Sequence, residues 1–172
     1  MFWHAQLKTH QAHQRAHEAL VSIVFPDDVC SFTLAEAQAG ITIAYQVVVA
    51  ASMDDVVSQP QDAGHCLDPG SSGLHTLPRL DGGGHSYCVC DTGLCPPPAE
   101  VVVTLQPGSH DHAFTWEGRN WNGPSDTMNP MGDYFPAGTY TLSVAAGGYL
   151  ADTSTGNPTF DVDGWLEIEL TP

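Results

Sequence analysis

Cations are the scarcest component of this 172-residue chain: four Lys or Arg stand against twenty Asp or Glu, a formal charge of −16 with His neutral. Nucleic-acid binding through phosphate neutralisation is excluded, because that mode needs clustered Lys and Arg. Attachment to an anionic membrane surface is excluded for the same reason. No apolar run approaches the roughly 18 residues of a membrane-spanning helix, so no transmembrane segment is expected. Also missing are Gly-x-Ser-x-Gly, P-loop and His-Glu-x-x-His patterns, and no two carboxylates stand out as an acid and base pair. Neither catalysis nor a cofactor is therefore expected. What the chain has in quantity is hydrophobic residues, 42% of the total, too many for global disorder despite the charge. The length suits a single packed domain.

The few cations are unevenly placed. Residues 1–26 hold Lys8 and Arg15 against Glu18, whereas the remainder holds only Arg79 and Arg119 against nineteen acids. A near-neutral leader, 1–26, is thus separated from an acidic body, 27–172. Residues 4–20 are rich in Ala, Gln and Leu with neither Gly nor Pro, which predicts a short helix or a frayed, solvated segment. His10, His13 and His17 recur at helical spacing and offer one face to Zn, Cu or Ni, although a tight site needs further ligands. ALVSIVF at 19–25 is followed by Pro-Asp-Asp rather than a small-residue cleavage site, so no export signal is legible there.

The body is punctuated too often by Gly and Pro for long helices. Between those breaks lie β-rich runs at 41–50, 100–106, 112–118, 138–147 and 165–171, and the last two alternate apolar with polar residues as half-buried strands do. Residues 33–40 suit either one helical turn or a lead-in strand. Residues 158–162 are expected to join 165–171 through a hairpin turn at Asp163-Gly164, since Asp-Gly suits the positive φ of a tight turn. Short strands at this spacing, with no βαβ rhythm, predict an all-β antiparallel sandwich. Residues 58–99 read instead as a long loop-rich insertion.

That insertion holds Cys66, Cys88, Cys90 and Cys95, with Cys30 left over. A Cys88–Cys90 bridge would be strained, which favours Cys66 joining one of those two while the other meets Cys95. Each closed loop would contribute about 2–4 kcal/mol. The alternative is a thiolate metal site with His65 or His85 nearby, although Cys-x-Cys-x4-Cys lacks the usual two-residue knuckle spacing. His110 and His112 share one face if their segment is extended, and form a further candidate metal pair. Asp161-Val162-Asp163 and Asp152-Thr153-Ser154 offer oxygen ligands without completing an EF-hand loop. Met128 and Met131 flank Pro130, an arrangement open to copper capture or to loop packing.

The most specific stretch is HAFTWEGRNWNGPSDTMNPMGDYFPAGTYTLSV, residues 112–144. An aromatic strand ends in Trp116-Glu117-Gly118-Arg119, a Gly/Asn/Pro-rich excursion follows, and Pro136-Ala137-Gly138-Thr139-Tyr140 opens a returning strand. This resembles the hairpin of FlgD-like immunoglobulin-type domains and of the BsuPI family, named for an intracellular proteinase inhibitor. The wider chain also looks like secreted or lipoprotein domains of myxobacteria. Glu117 stands where that pattern usually has Asp, and the excursion is longer than usual. The resemblance implies an Ig-like β-sandwich and, by family analogy alone, proteinase inhibition; it supplies no catalytic residue. Trp116, Trp121, Tyr134 and Phe135 would form a binding patch if exposed, or pack beneath the loop.

The sequence thus points to a non-enzymatic, disulfide-stapled module working outside the cytoplasm, with another protein or a cell-surface component as partner. A transition-metal protein using the cysteine cluster or the histidines is the alternative.

Overall fold

A computed structural model of the chain describes residues 20–25, 31–59, 70–88, 102–121, 131–151 and 159–172. In chain order the elements are β1 (Val21–Val24), β2 (Ser31–Thr33), α1 (Leu34–Ala39), β3 (Ile41–Val49), β4 (Met53–Gln59), a 3-10 turn (Gly70–Ser72), β5 (Thr76–Gly82), β6 (His85–Cys88), β7 (Val102–Leu105), β8 (Gly108–Trp116), β9 (Arg119–Trp121), β10 (Met131–Tyr134), β11 (Gly138–Leu150) and β12 (Thr159–Thr171). The fold is an all-β sandwich, as the strand rhythm implies. The helical reading of residues 4–20 lies outside the described residues apart from Leu20, and the boundary at 26 is corrected, because Val21–Val24 of the leader form β1 and bury Val21 and Ile23 in the sandwich core.

One sheet has the order β1-β3-β8. A small two-stranded sheet pairs β9 with β10, and the largest is built around β11, which pairs along its length with β12. On its opposite edge β11 meets β5 at residues 141–146 and β4 at residues 147–150, so two strands tile end to end along one. β6 continues the sheet beyond β5, and β7 beyond β4. Period-two alternation supplies the core between the sheets. Ile41, Ile43, Tyr45, Val47 and Val49 of β3 point inward against Tyr140, Leu142, Val144 and Ala146 of β11 and Phe160, Val162, Ile168 and Leu170 of β12. Each Val, Leu, Ile or Phe among them stabilises the fold by about 1.5–3 kcal/mol relative to exposure.

Four expectations are corrected or resolved by this arrangement. Residues 159–171 form one continuous strand, with Asp163 opposite Ala145 and Gly164 opposite Val144, so there is no hairpin turn at Asp163-Gly164. Gly164 is required for another reason: a Cβ there would lie 2.8 Å from Ile23 Cγ2 and 2.9 Å from the Ile23 carbonyl oxygen, so β1 crosses against bare backbone. The 58–99 segment is not a single loop, because β5 and β6 form a hairpin inside it. Its turn, Gly83-Gly84, has φ of +55° and +78°, the pair of positive values that a two-residue hairpin turn demands. The sandwich is not wholly antiparallel either, since β2 runs parallel to β12. Residues 34–39 take the helical alternative. Thr33 and Glu36 cap α1 reciprocally, Thr33 Oγ1 accepting from the Glu36 N–H and the Glu36 carboxylate accepting from the Thr33 N–H.

A bulge explains how Met53 and Val56 of β4, three residues apart, both reach the core. Between Met53 and Val56 its register against β7 shifts by one residue, and Asp55 sits there at φ +55°. Asp tolerates this left-handed conformation better than most side chains. The Asp55 carbonyl then accepts from the Ala151 N–H at 2.7 Å, tying the bulge to the end of β11.

Candidate functional site

Two side-chain clusters stand out once the strands are in place. The first is aromatic and gathers under the 112–144 hairpin. Trp116 ends β8 facing inward, fully buried, and its indole N–H donates to the Arg119 carbonyl at 3.0 Å, closing the turn into β9. Phe135 lies 4.8 Å from the Trp116 ring and stacks on Tyr140 at 4.9 Å. Tyr87 approaches from β6 at 6.3 Å, and His85 meets Phe135 edge-on at 5.1 Å. The Tyr140 hydroxyl donates to the Pro136 carbonyl four residues back, at 2.7 Å. Burial pushes the Tyr87 and Tyr140 phenols above their ordinary value, with Glu117 adding to the rise at Tyr87.

Of the four residues considered for a binding patch, Trp116 and Phe135 are therefore core rather than surface: Trp116 is on the inward side of β8, and Phe135, just past the end of β10, is packed between the Trp116 and Tyr140 rings. Tyr134 is 43% exposed and carries the Arg119 guanidinium over its ring at 4.7 Å. The Trp121 backbone belongs to β9, while its side chain lies outside the described residues. Asn120, between them, accepts from the Ser86 N–H at 3.0 Å and joins β9 to β6.

The second cluster is polar and lies where β3, β5, β8 and the 3-10 turn meet. Tyr45, buried on β3, shares a 2.6 Å hydrogen bond with Thr76 of β5 and stacks against the His112 ring at 5.4 Å and 18°. Desolvation raises the Tyr45 phenol, and the Thr76 bond partly offsets that rise. His112 Nε2 lies 2.9 Å from Ser72 Oγ. That oxygen also accepts from the Leu74 N–H at 3.2 Å, so its own proton is available to donate to the imidazole. Nearby, Ser58 Oγ accepts from the His75 N–H at 2.8 Å and lies 3.2 Å from His75 Nδ1. A serine hydroxyl against an imidazole has the outline of an activated nucleophile. Here Ser72 is 3% exposed and committed to a backbone amide, so the pair acts as a clasp between the turn and β8.

His110 and His112 do share the inward side of β8, as expected of an extended segment, but they serve different partners: His110 Nε2 lies 2.9 Å from the Gln106 carbonyl. His85 lies 3.1 Å from the Gly83 carbonyl through Nδ1. Among the described residues no three His, Cys, Asp or Glu side chains converge on a point where a metal ion would sit. His10, His13, His17, His65, Cys30, Cys66, Cys90 and Cys95 lie outside the described residues, as do Asp152, Ser154 and Met128. Cys88 is placed by its backbone alone, opposite Arg79. The described helices include none long and apolar enough to cross a membrane.

Sequence reasoning missed the Ser58–His75 and Ser72–His112 pairs. The alternation of His110, His112, Phe114 and Trp116 already pointed His112 inward, but nothing local marked Ser72 as its partner, forty residues away. Compared with known proteins, the chain matches no family model, no curated protein and no solved structure.

Proposed function

We propose that the chain is an immunoglobulin-like structural or protein-interaction module that works outside the cytoplasm, without catalysing a reaction. The observation that carries this reading is the division of the N-terminal strand between the sheets: β1 pairs with β3, and β2 then pairs in parallel with β12. Around it, β1-β3-β8 corresponds to the A-B-E part of one immunoglobulin sheet, and β12-β11-β5-β6 to the G-F-C-C′ order of the other. The Tyr140 bond to the Pro136 carbonyl supports the same reading, because it reproduces the tyrosine corner of such sandwiches. The resemblance of residues 112–144 to FlgD-like and BsuPI hairpins points the same way. Sandwiches of this kind present end loops and sheet faces to partners, and their function lies in those surfaces rather than in the fold itself. The exposed Tyr134 with Arg119 is one such surface.

The acidic balance and the cysteine-rich segment support a location outside the cytoplasm, where disulfides persist. Alkylation of the native protein from its own cells, followed by peptide mass mapping, tests this. Cys66, Cys88, Cys90 and Cys95 are expected to resist the reagent until reduced, and reduction is expected to lower the melting temperature. Five thiols reacting in the unreduced, folded protein would overturn the stapled, extracytoplasmic reading.

A further inference from the structure

We propose that the outer face of β12 and β11 docks an extended, cationic peptide segment of a protein partner, with one Lys or Arg of that segment laid over Trp165. The proposal names a partner class for the protein-interaction reading and rests on it. Asp161, Asp163, Trp165, Glu167 and Glu169 occupy alternate positions of β12 that point away from the core, and all five are exposed, Trp165 by 44%. An indole is the aromatic face that a cation prefers, and here carboxylates stand on both sides of it along the strand.

The neighbouring strands leave this row open. Thr141, Ser143 and Ala145 of β11 lie beside Glu167, Trp165 and Asp163, so short side chains floor one flank of the indole. Beyond Ser143 comes Arg79, whose guanidinium is held by Asp81 at 3.2 Å. Arg119 sits over Tyr134. Residues 27–172 hold no further Lys or Arg to balance the row. A second copy of this face is excluded as the occupant, because it would set carboxylates against carboxylates. Spacing then sets the form of the ligand. Side chains at every second position of a strand recur about every 6.8 Å, so the five span about 27 Å. An extended peptide with Lys or Arg at every second residue has the same repeat and lays its cations along the row. That array matters, since a single exposed pair of opposite charges contributes little.

Fluorescence anisotropy of the full chain with a labelled peptide of about twelve residues, Arg alternating with Thr, tests this. Binding is expected, weakening roughly tenfold as salt rises from about 50 to about 300 mM, because exposed charges are screened. A peptide of the same composition with its arginines in one block is expected to bind at least about threefold more weakly. Trp165→Thr, which keeps a strand-favouring residue, is expected to weaken binding of the alternating peptide at least about fivefold. Glu167→Gln should weaken it about threefold, whereas Asp133→Asn, the same change of net charge at an exposed position on β10, should change it less than about twofold. If Trp165→Thr does not fold, the two peptides and the salt dependence of the unaltered chain decide alone. No binding, equal affinity for the two peptides, full affinity in Trp165→Thr, or equal losses from Glu167→Gln and Asp133→Asn would overturn the proposal. Trp165-dependent, salt-insensitive binding of a neutral oligosaccharide in place of the peptide would overturn it too. Should the peptide fail while the cysteines resist alkylation, this face falls and the module reading stands.

Discussion

At the scale of single residues, the fold depends on a few positions where another residue type has no room or no partner. Gly164 is the clearest, because the β1 backbone crosses it. Gly164→Ala is expected to cost about 1–3 kcal/mol through overpacking against Ile23, measured by urea denaturation; an unchanged midpoint would contradict the close approach. Glu36 gives a pH signature instead. Its carboxylate accepts from the Thr33 N–H and hydroxyl at 2.7 and 2.8 Å, which holds its pKa below the ordinary 4.5. A depressed folded pKa means that its contribution is complete above pH 4.5 and lost as pH falls through the folded value. The stability difference between the unaltered chain and Glu36→Gln should therefore be flat above pH 4.5 and shrink in acid. A difference independent of pH down to the acid limit would contradict the capping bond.

At the scale of elements, the polar clasp fastens the 3-10 turn to β8. Ser72→Ala leaves the buried Leu74 N–H without that acceptor, and is expected to cost about 1–3 kcal/mol. Hydrogen exchange at the Leu74 amide should accelerate more than exchange in β11; uniform acceleration would instead indicate a general loss of stability. The element scale also shows what the sequence makes legible. β3, most of β11 and the C-terminal half of β12 are legible because their inward residues recur at every second position. β5 and β6 are not, because Pro78 and three consecutive glycines look like loop until β11 is known to lie alongside. Thr76, Pro78 and Leu80 nonetheless all face inward, and the glycines form the hairpin turn. The Asp163-Gly164 pair misled for the opposite reason: a dipeptide suited to a turn was placed by a crossing strand, a contact with no local signature. Among the candidate site residues, residue type alone did not separate Trp116 and Phe135, which are core, from Tyr134, which is surface. Strand phase places Trp116, whereas Phe135 is turned inward beyond β10, where its N–H donates to the Gly118 carbonyl and its ring meets Trp116 and Tyr140.

At the scale of the whole molecule, the charge deficit finds its place on an outer sheet face. Along β12 the even positions Phe160, Val162, Ile168 and Leu170 are buried, while Asp161, Asp163, Glu167 and Glu169 face outward around Trp165, itself 44% exposed. Arg79, two strands away, is paired with Asp81 at 3.2 Å on the surface, a contact worth at most about 1 kcal/mol. The acids thus keep a face soluble while the opposite side of the same strand supplies the core. What gives the molecule its character is less the charge than the way its N-terminal strands tie the two sheets together. Interstrand NOEs in isotope-labelled protein test that claim most directly. The account predicts parallel contacts of Ser31–Thr33 with Glu169–Thr171 together with antiparallel contacts of Val21–Val24 with Gln46–Val49, in a single folded species. β2 pairing antiparallel, or with the β1-β3-β8 sheet, would contradict it.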